Sequence, residues 1–277
     1  MIHIFIPVYN EAGNIEKVVK KITSEMEKLR YINESYMIYI YDNFSNDGTY
    51  NIIKKLARND LHIQIDLVYR KGKGEVFKKF LDDLKSGEIQ CANNDLIVMI
   101  DGDDTYSPFG LADKIKNIKS YRGYDIEAQY QIPRMYVGDR MFYYDANGSI
   151  LHGFGNKLIR KLFRIFYHEH SDIFSGCRIF TPGFLKGFKL KGHRFELETE
   201  LTHYALRNNY PIGTFRVFYK DRAFGKSKIN SVRDGISILW TFWNNLIKDY
   251  PAMLIIPSLI GTAVGIPCLI SLCKRNK

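Results

Sequence analysis

The residues able to do chemistry gather at four places in the first 105 positions. Asp101-Gly102-Asp103-Asp104 puts three carboxylates directly behind the apolar run Leu96–Ile100. Hard oxygen ligands on a tight turn suit Mg²⁺ or Mn²⁺ shared with a diphosphate. Carboxylates crowded this closely repel one another unless a cation offsets them. Taken alone, Asp101 and Asp103 are also compatible with an ordinary acidic turn. Arg70-Lys71-Gly72-Lys73-Gly74 follows a second apolar run and offers charge and backbone N–H groups to phosphate; a solvated basic loop is the alternative. Asp42 ends a third run and can accept hydrogen bonds from a nucleobase, or act as a helix cap or Asx turn, as Asp47-Gly48-Thr49 does. Pro7-Val8-Tyr9-Asn10-Glu11 follows the fourth.

These places share one feature: each comes just after a predicted strand. Apolar runs at His3–Val8, Met37–Tyr41, Ile63–Tyr69 and Leu96–Ile100 alternate with helical patterns. Ile15, Val18, Val19, Ile22, Met26 and Leu29 form a helical stripe, and Thr49–Leu56 and Val76–Leu84 read as shorter helices. Strands joined by helical crossovers imply a mostly parallel α/β sheet flanked by helices. Such sheets bind ligands at the carboxyl ends of their strands, where these residues stand.

The 277 residues carry 40 Lys+Arg against 30 Asp+Glu, unevenly placed. Residues 1–150 hold 20 basic and 22 acidic side chains; residues 151–277 hold 20 and 8. The asymmetry points to an anionic partner met mainly by the second half. At 45% hydrophobic and 25% charged, the composition excludes a disordered or collagen-like chain. Four Cys without CxxC spacing suggest neither a zinc knuckle nor a disulfide framework. The N-terminal run reads as a strand rather than a signal peptide.

Pro251 to Cys273 is 23 residues without a charge, long enough to cross a hydrocarbon core of about 30 Å at ~1.5 Å per residue; a buried C-terminal helix, or a re-entrant hairpin bent at Pro257, Gly261, Gly265 or Pro267, is the alternative. Residues 232–250 before it read as an amphipathic interfacial helix, with Ile236, Leu239, Trp240, Trp243 and Ile247 at helical spacing. Trp240, Phe242, Trp243 and Tyr250 stand where an aromatic belt would sit. Gly261 and Gly265 offer a helix-pairing face and so a route to a homo-oligomer. The expected organisation is a catalytic domain over 1–231 (a nucleotide-binding half 1–105 and an acceptor-binding half 106–231), an interfacial helix 232–250, a transmembrane segment 251–273 and a basic tail 274–277.

IPVYNE, DNFSNDGT and DGDD, in this order and at this spacing, resemble the nucleotide-binding half of family 2 glycosyltransferases of GT-A fold. Gly138-Asp139-Arg140, Phe154-Gly155-Asn156-Lys157-Leu158, Asp172 to Arg178, Phe195 to Glu200 and Arg222 to Asn230 extend the resemblance to the branch that transfers sugar to a polyprenyl phosphate, the dolichol-phosphate mannose synthase type. The resemblance covers roughly residues 2–250. It implies that Pro7, Tyr9, Glu11 and Asp42 hold base and ribose, and that Asp101 and Asp103 contact ribose and metal. It further implies that Arg140, Ser175 and Arg178 bind the acceptor phosphate, and that Arg222 and Lys228 close over the donor diphosphate, beside Lys73. Asp103, Arg140, Arg178 and Glu198 are the expected catalytic set. The implied reaction is an inverting, metal-dependent transfer from a nucleotide sugar, a UDP-sugar by default, to a polyprenyl phosphate, by a membrane protein with its catalytic domain on the cytoplasmic side. Two positions depart from the pattern: Asn43 replaces the second Asp after strand two, and Thr105 replaces Gln behind the acidic turn.

A glycosyltransferase acting on a sugar hydroxyl, with Glu198 as base, is the competing enzyme reading. A nucleic-acid-binding protein is the competing non-enzyme reading, and it is disfavoured because the basic residues lie within defined motifs without a recognition-helix pattern.

Overall fold

The computed structural model describes residues 1–123, 132–140, 150–222, 224–225 and 231–250. Strands β1 (Ile2–Val8), β2 (Tyr36–Asp42), β3 (Ile63–Leu67) and β4 (Leu96–Met99) stand within one or two residues of their predicted bounds. Helices α1 (Ile15–Met26), α2 (Thr49–Asn59) and α3 (Lys73–Ser86) make the crossovers. A short strand β5 (Tyr106–Ser107) leads to α4 (Leu111–Gly123), β6 (Met135–Asp139), α5 (Ile150–Tyr167), β7 (Arg178–Phe180) and α6 (Pro182–Gly187). Helix α7 (Leu197–Arg207), β8 (Ile212–Arg216), β9 (Phe218–Tyr219) and α8 (Ser231–Asp249) complete the described chain.

The main sheet has the order β3-β2-β1-β4-β7-β6-β8. Its first four strands are parallel; β7 runs antiparallel to both β4 and β6, and β6 pairs parallel with β8. The period of two along β1 explains the layers. Ile2, Ile4, Ile6 and Val8 face a core with α1 and α4, while Phe5 faces one with α3, α6 and α7. A sheet buried on both faces needs nearly continuous apolar strands, which is why these runs were legible.

A two-stranded ribbon pairs β5 with β9 antiparallel. The Lys220 N–H donates to the Thr105 carbonyl at 2.9 Å. The ribbon thereby lays the chain leading to Arg222 beside the acidic turn.

Helix α8 buries Ile238, Phe242 and Leu246 against Ile159, Phe163 and Tyr167 of α5. Leu239 packs against the same core, while three apolar residues are exposed: Ile236 63%, Trp240 67% and Trp243 41%. The helix is therefore apolar on two faces, one spent on the fold and one presented outward. Among the described residues no helix is long and apolar enough to cross a membrane. The 251–273 segment, the 274–277 tail and Lys228 lie outside the described residues.

His203 of α7 is buried in this third core among Phe163, Tyr167 and Phe242. Asp249 is 3.8 Å away, beyond hydrogen-bond reach, and among the described residues neither ring nitrogen has a hydrogen-bond partner. Burial accordingly pushes the His203 pKa down to about 3. The unfolded chain then binds a proton near pH 6.5 that the folded chain refuses. Stability from this site is whole above that pH and is lost as pH falls from 6.5 toward 3, at up to ~1.4 kcal/mol per pH unit. Unfolding followed against pH should show a smaller acid slope for His203→Leu than for the native chain; equal slopes would assign the loss elsewhere.

Candidate active site

The cleft lies at the carboxyl ends of the parallel strands and encloses about 300 Å³. Pro7, Val8, Tyr9 and Glu11 line it from the loop after β1, and Asn43 from the end of β2. Lys71, Gly72 and Lys73 come from the start of α3, and Asp101, Gly102 and Asp103 from the turn after β4. Arg194, Phe195 and Arg222 close the opposite rim.

Each acidic residue of the turn has a separate fate. Lys73 places its ammonium 2.7 Å from both Asp101 Oδ1 and Glu198 Oε1. Burial opposes that charge, but the two flanking carboxylates outweigh it and hold the Lys73 pKa above the ordinary lysine value. Burial pushes the Asp101 carboxyl up to about 6; Lys73 pulls it down, and the nearby Asp103 and Glu198 raise it. Asp103 Oδ1 accepts the Thr105 hydroxyl at 2.6 Å and its N–H at 3.1 Å, while Oδ2 pairs with Arg222. Arg222 reaches across to Glu11 at 2.9 Å, so one guanidinium ties the β1 loop to the acidic turn. Asp104 turns away at φ +60° and is enclosed by Lys17, Lys21 and Lys220. The crowding read from the sequence is thus relieved by five basic side chains.

Asn43 stitches the basic loop to the sheet. Its amide donates to the Val68 carbonyl at 3.0 Å and the Arg70 carbonyl at 2.7 Å, and its Oδ1 accepts the Gly72 N–H at 2.7 Å. The replaced Asp position is therefore structural here, since a carboxylate has no N–H to donate to two carbonyls. Asp42 is fully buried, outside the cleft lining, with its carboxylate turned to the Ser45 hydroxyl and N–H. The glycines of the basic loop are spent on packing: a Cβ on Gly72 or Gly74 would run into the backbone of Gly192-His193. Lys71 is exposed, and among the described residues it makes no ion pair.

Three expectations for the acceptor side meet a different geometry. Arg178 is fully buried and lies outside the cleft lining. It donates to the Ser175 and Ile173 carbonyls at 3.0 and 2.5 Å, to Thr202 at 3.2 Å and to the Met135 sulfur. Burial lowers its pKa to about 10 against the pull of Glu198 and Asp172. In this arrangement it braces the 173–178 turn, with Nε and both terminal nitrogens donating within the protein. Ser175 is equally enclosed, its hydroxyl bonded to Cys177 within the turn. Glu198 is 5% exposed, outside the lining and held by Lys73, a poor placement for a base.

The braced turn has a purpose in the cleft. Gly176 lies against the Asp101 carboxylate so closely that a Cβ would overlap it, and its N–H donates to the Tyr106 hydroxyl at 2.8 Å. Arg140 forks onto the buried Asp172 at 2.6 and 3.0 Å and lies over Tyr219. Burial would raise the Asp172 carboxyl, but the Arg140 fork holds it below the usual range.

Asp101 and Asp103 both line the cleft and supply hard carboxylate oxygens of the kind a divalent cation takes, each paired with a basic side chain in this structure. The described residues also bring His3, Cys91 and Asp95 within 4.8 Å of one another. That group sits at the opposite, amino ends of β1 and β4, and Asp95 there also accepts the Ala92 N–H at 2.7 Å. It takes no part in the cleft. Sequence reasoning missed Asn43, Arg194 and Phe195; Arg194 carried only the weak signal of a basic residue just before the Phe195–Glu200 run.

A mostly parallel α/β sheet with this acidic and basic cleft at its carboxyl edge is the architecture of a GT-A glycosyltransferase. The comparisons give the family. The family model for glycosyl transferase family 2 matches residues 3–180. The chain belongs to that family. Protein RfbJ from Shigella flexneri is 28% identical over 117 residues, 42% of this chain and 75% of that protein. Glycosyltransferase AglE from Haloferax volcanii is 37% identical over 67 residues, 24% of this chain and 21% of that protein. Among solved structures, glucosyl-3-phosphoglycerate synthase from Mycobacterium tuberculosis, complexed with Mn²⁺, UDP and glucosyl-3-phosphoglycerate, has a TM-score of 0.61 at 15% identity. That match covers 89% of this chain and 80% of the other. Mannosyl-3-phosphoglycerate synthase from Rubrobacter xylanophilus gives a TM-score of 0.60 at 15% identity, covering 91% and 74%.

Proposed function

We propose that the protein transfers a sugar, with inversion, from a UDP-sugar to a polyprenyl phosphate at the cytoplasmic face of a membrane. The observation that carries the lipid acceptor is α8. It turns Ile236, Trp240 and Trp243 outward and leads directly into the 23 uncharged residues 251–273. Amphipathic aromatic side chains beside an apolar stretch suit a bilayer interface. The domain division at 231 and 250 and the single span over 251–273 belong to this reading.

Tyr9, Pro7 and Glu11 would border the base and ribose. Asp101 and Asp103 would hold Mg²⁺ or Mn²⁺, which supplies charge to the leaving diphosphate when bound. Arg222, which bridges Glu11 and Asp103, would meet that diphosphate, with Lys228 further along the sequence. Lys73 holds Asp101 in place while remaining cationic. Arg140, oriented by Asp172 beside Tyr106 and Tyr219, also lies outside the cleft lining, but it is 12% exposed where Arg178 is fully buried, and it would be the acceptor-side arginine that favours an anionic nucleophile. A phosphate monoester has its second pKa near ~6, so it arrives mostly ionised and needs little help from a base. That agrees with Glu198 being occupied by Lys73, and it weighs against the sugar-hydroxyl reading.

Detergent-purified protein should move label from a UDP-sugar into organic-extractable lipid when given polyprenyl phosphate and Mn²⁺. Preference for a polyprenyl-diphosphate-sugar acceptor would sink the phosphate-acceptor reading. Vesicle co-sedimentation tests the membrane part: Ile236→Ser/Trp240→Ser/Trp243→Ser should lower partitioning onto phosphatidylglycerol vesicles about ten-fold or more, from the apolar area withdrawn. Unchanged partitioning would remove α8 from the interface.

A further inference from the structure

Arg194 and Phe195 line the cleft, yet the segment carrying them is fastened to the outward-facing helix. Phe195 packs into the core shared by α5 and α8. The Arg194 guanidinium pairs through Nε with Asp234 of α8 at 3.1 Å, and Asp234 is 3% exposed. Ser237, one helical turn further along α8, donates its hydroxyl to Glu196. The other side of the segment is equally fixed. Glu200 accepts the Lys191 and Gly192 N–H groups at 2.9 and 2.6 Å, and the His193 backbone rests where Gly72 and Gly74 leave no room for a Cβ.

This arrangement fixes one arginine at the cleft rim. Lys73 and Arg222 pair with carboxylates of the cleft itself, whereas the carboxylate that pairs with Arg194 lies on α8, outside the cleft lining. Nε makes the recorded contact, and a guanidinium carries four further N–H donors on its terminal nitrogens. An arginine held by a buried carboxylate loses little freedom on meeting a second anion, and its planar fork matches phosphoryl oxygens. We propose that Arg194 binds a phosphoryl group of the substrate in the cleft, and that Asp234 is its positioning residue, so that α8 sets the binding site as well as facing outward. The inference rests on the nucleotide-sugar reading for its ligand.

Calorimetry on the full chain in detergent micelles with Mn²⁺ tests it, using UDP, uridine and a soluble short-chain prenyl phosphate as separate probes. Arg194→Ala should weaken UDP or prenyl phosphate at least five-fold and leave uridine, which lacks phosphate, unchanged. Loss with UDP assigns the contact to the donor, and loss with prenyl phosphate assigns it to the acceptor; either supports the proposal. Asp234→Asn should weaken the same probe. Arg194→Ala/Asp234→Asn should be no worse than Arg194→Ala, and Asp234→Glu should recover most of the loss. A structural role of Asp234 alone would give additive losses, which would overturn the coupling. Arg194→Ala alters a partly exposed side chain and does not depend on Asp234→Asn folding; unchanged affinity for both phosphates overturns the proposal by itself. Failure of the native chain to bind UDP, GDP or dTDP would instead sink the nucleotide-sugar reading, and failure to bind prenyl phosphate as well would sink the proposal with it.

Discussion

Asp103→Asn is expected to lower sugar transfer by ~10²-fold or more, the scale on which loss of one preorganised electrostatic contact acts. The substitution keeps an oxygen for the Thr105 hydroxyl and N–H but removes the charge that pairs with Arg222. It also removes half of the hard-oxygen pair proposed for the metal. Fold stability should fall by about 1–3 kcal/mol, because Arg222 and Asp103 are only 20% and 13% exposed while Arg222 keeps its pair with Glu11. Radiolabel transfer and a thermal midpoint, measured on the same preparation, separate the two effects. Full activity in Asp103→Asn would show that the chemistry lies elsewhere.

Lys73→Met should produce the largest loss of stability, about 3–5 kcal/mol at neutral pH, since it leaves Asp101 and Glu198 facing each other without a cation. The cost depends on pH in a defined direction. Removing Lys73 withdraws the influence that lowers the Asp101 pKa, which burial already pushes up to about 6. A carboxyl raised in the folded state penalises folding above its folded pKa and ceases to do so as pH falls through that value. Denaturant unfolding should therefore show a large deficit for Lys73→Met at pH 7.5 and a smaller one at pH 5. Lys73→Arg, which keeps the charge, should recover much of the difference. An equal deficit at both pH values would mean that packing, and not charge, accounts for it.

These two predictions bear differently on what the sequence made legible. Asp101 and Asp103 stood out because metal and diphosphate chemistry uses few residue types and because a turn after an apolar strand has a fixed place in a parallel sheet. Lys73 was legible as a basic residue near phosphate, but its partners were not: Asp101 is 28 positions away and Glu198 is 125. The resemblance assigns Arg178 and Ser175 to an acceptor phosphate, but their orientation depends on the crossing of β7. In the fold they brace the turn that sets Gly176 against Asp101. Glu198 and Glu200 looked alike on paper. One answers Lys73, and the other holds the backbone at Lys191 and Gly192.

The sequence by itself determined the strands, their parallel order along the first hundred residues, the end of the sheet that carries chemistry, and the family. Those follow from local periodicity and from residue types adjacent in the chain, which the backbone translates directly into place. The tertiary structure decided which charges are spent on one another and which remain for a ligand. Ion pairs between Lys73 and Glu198, Arg222 and Glu11, or Arg194 and Asp234 join residues far apart in sequence, and only packing brings them within 2.7 to 3.1 Å. The sequence also left α8 a plain amphipathic helix. The fold made it apolar on two faces, one closing a core and one facing outward, and tied it to the cleft through Asp234.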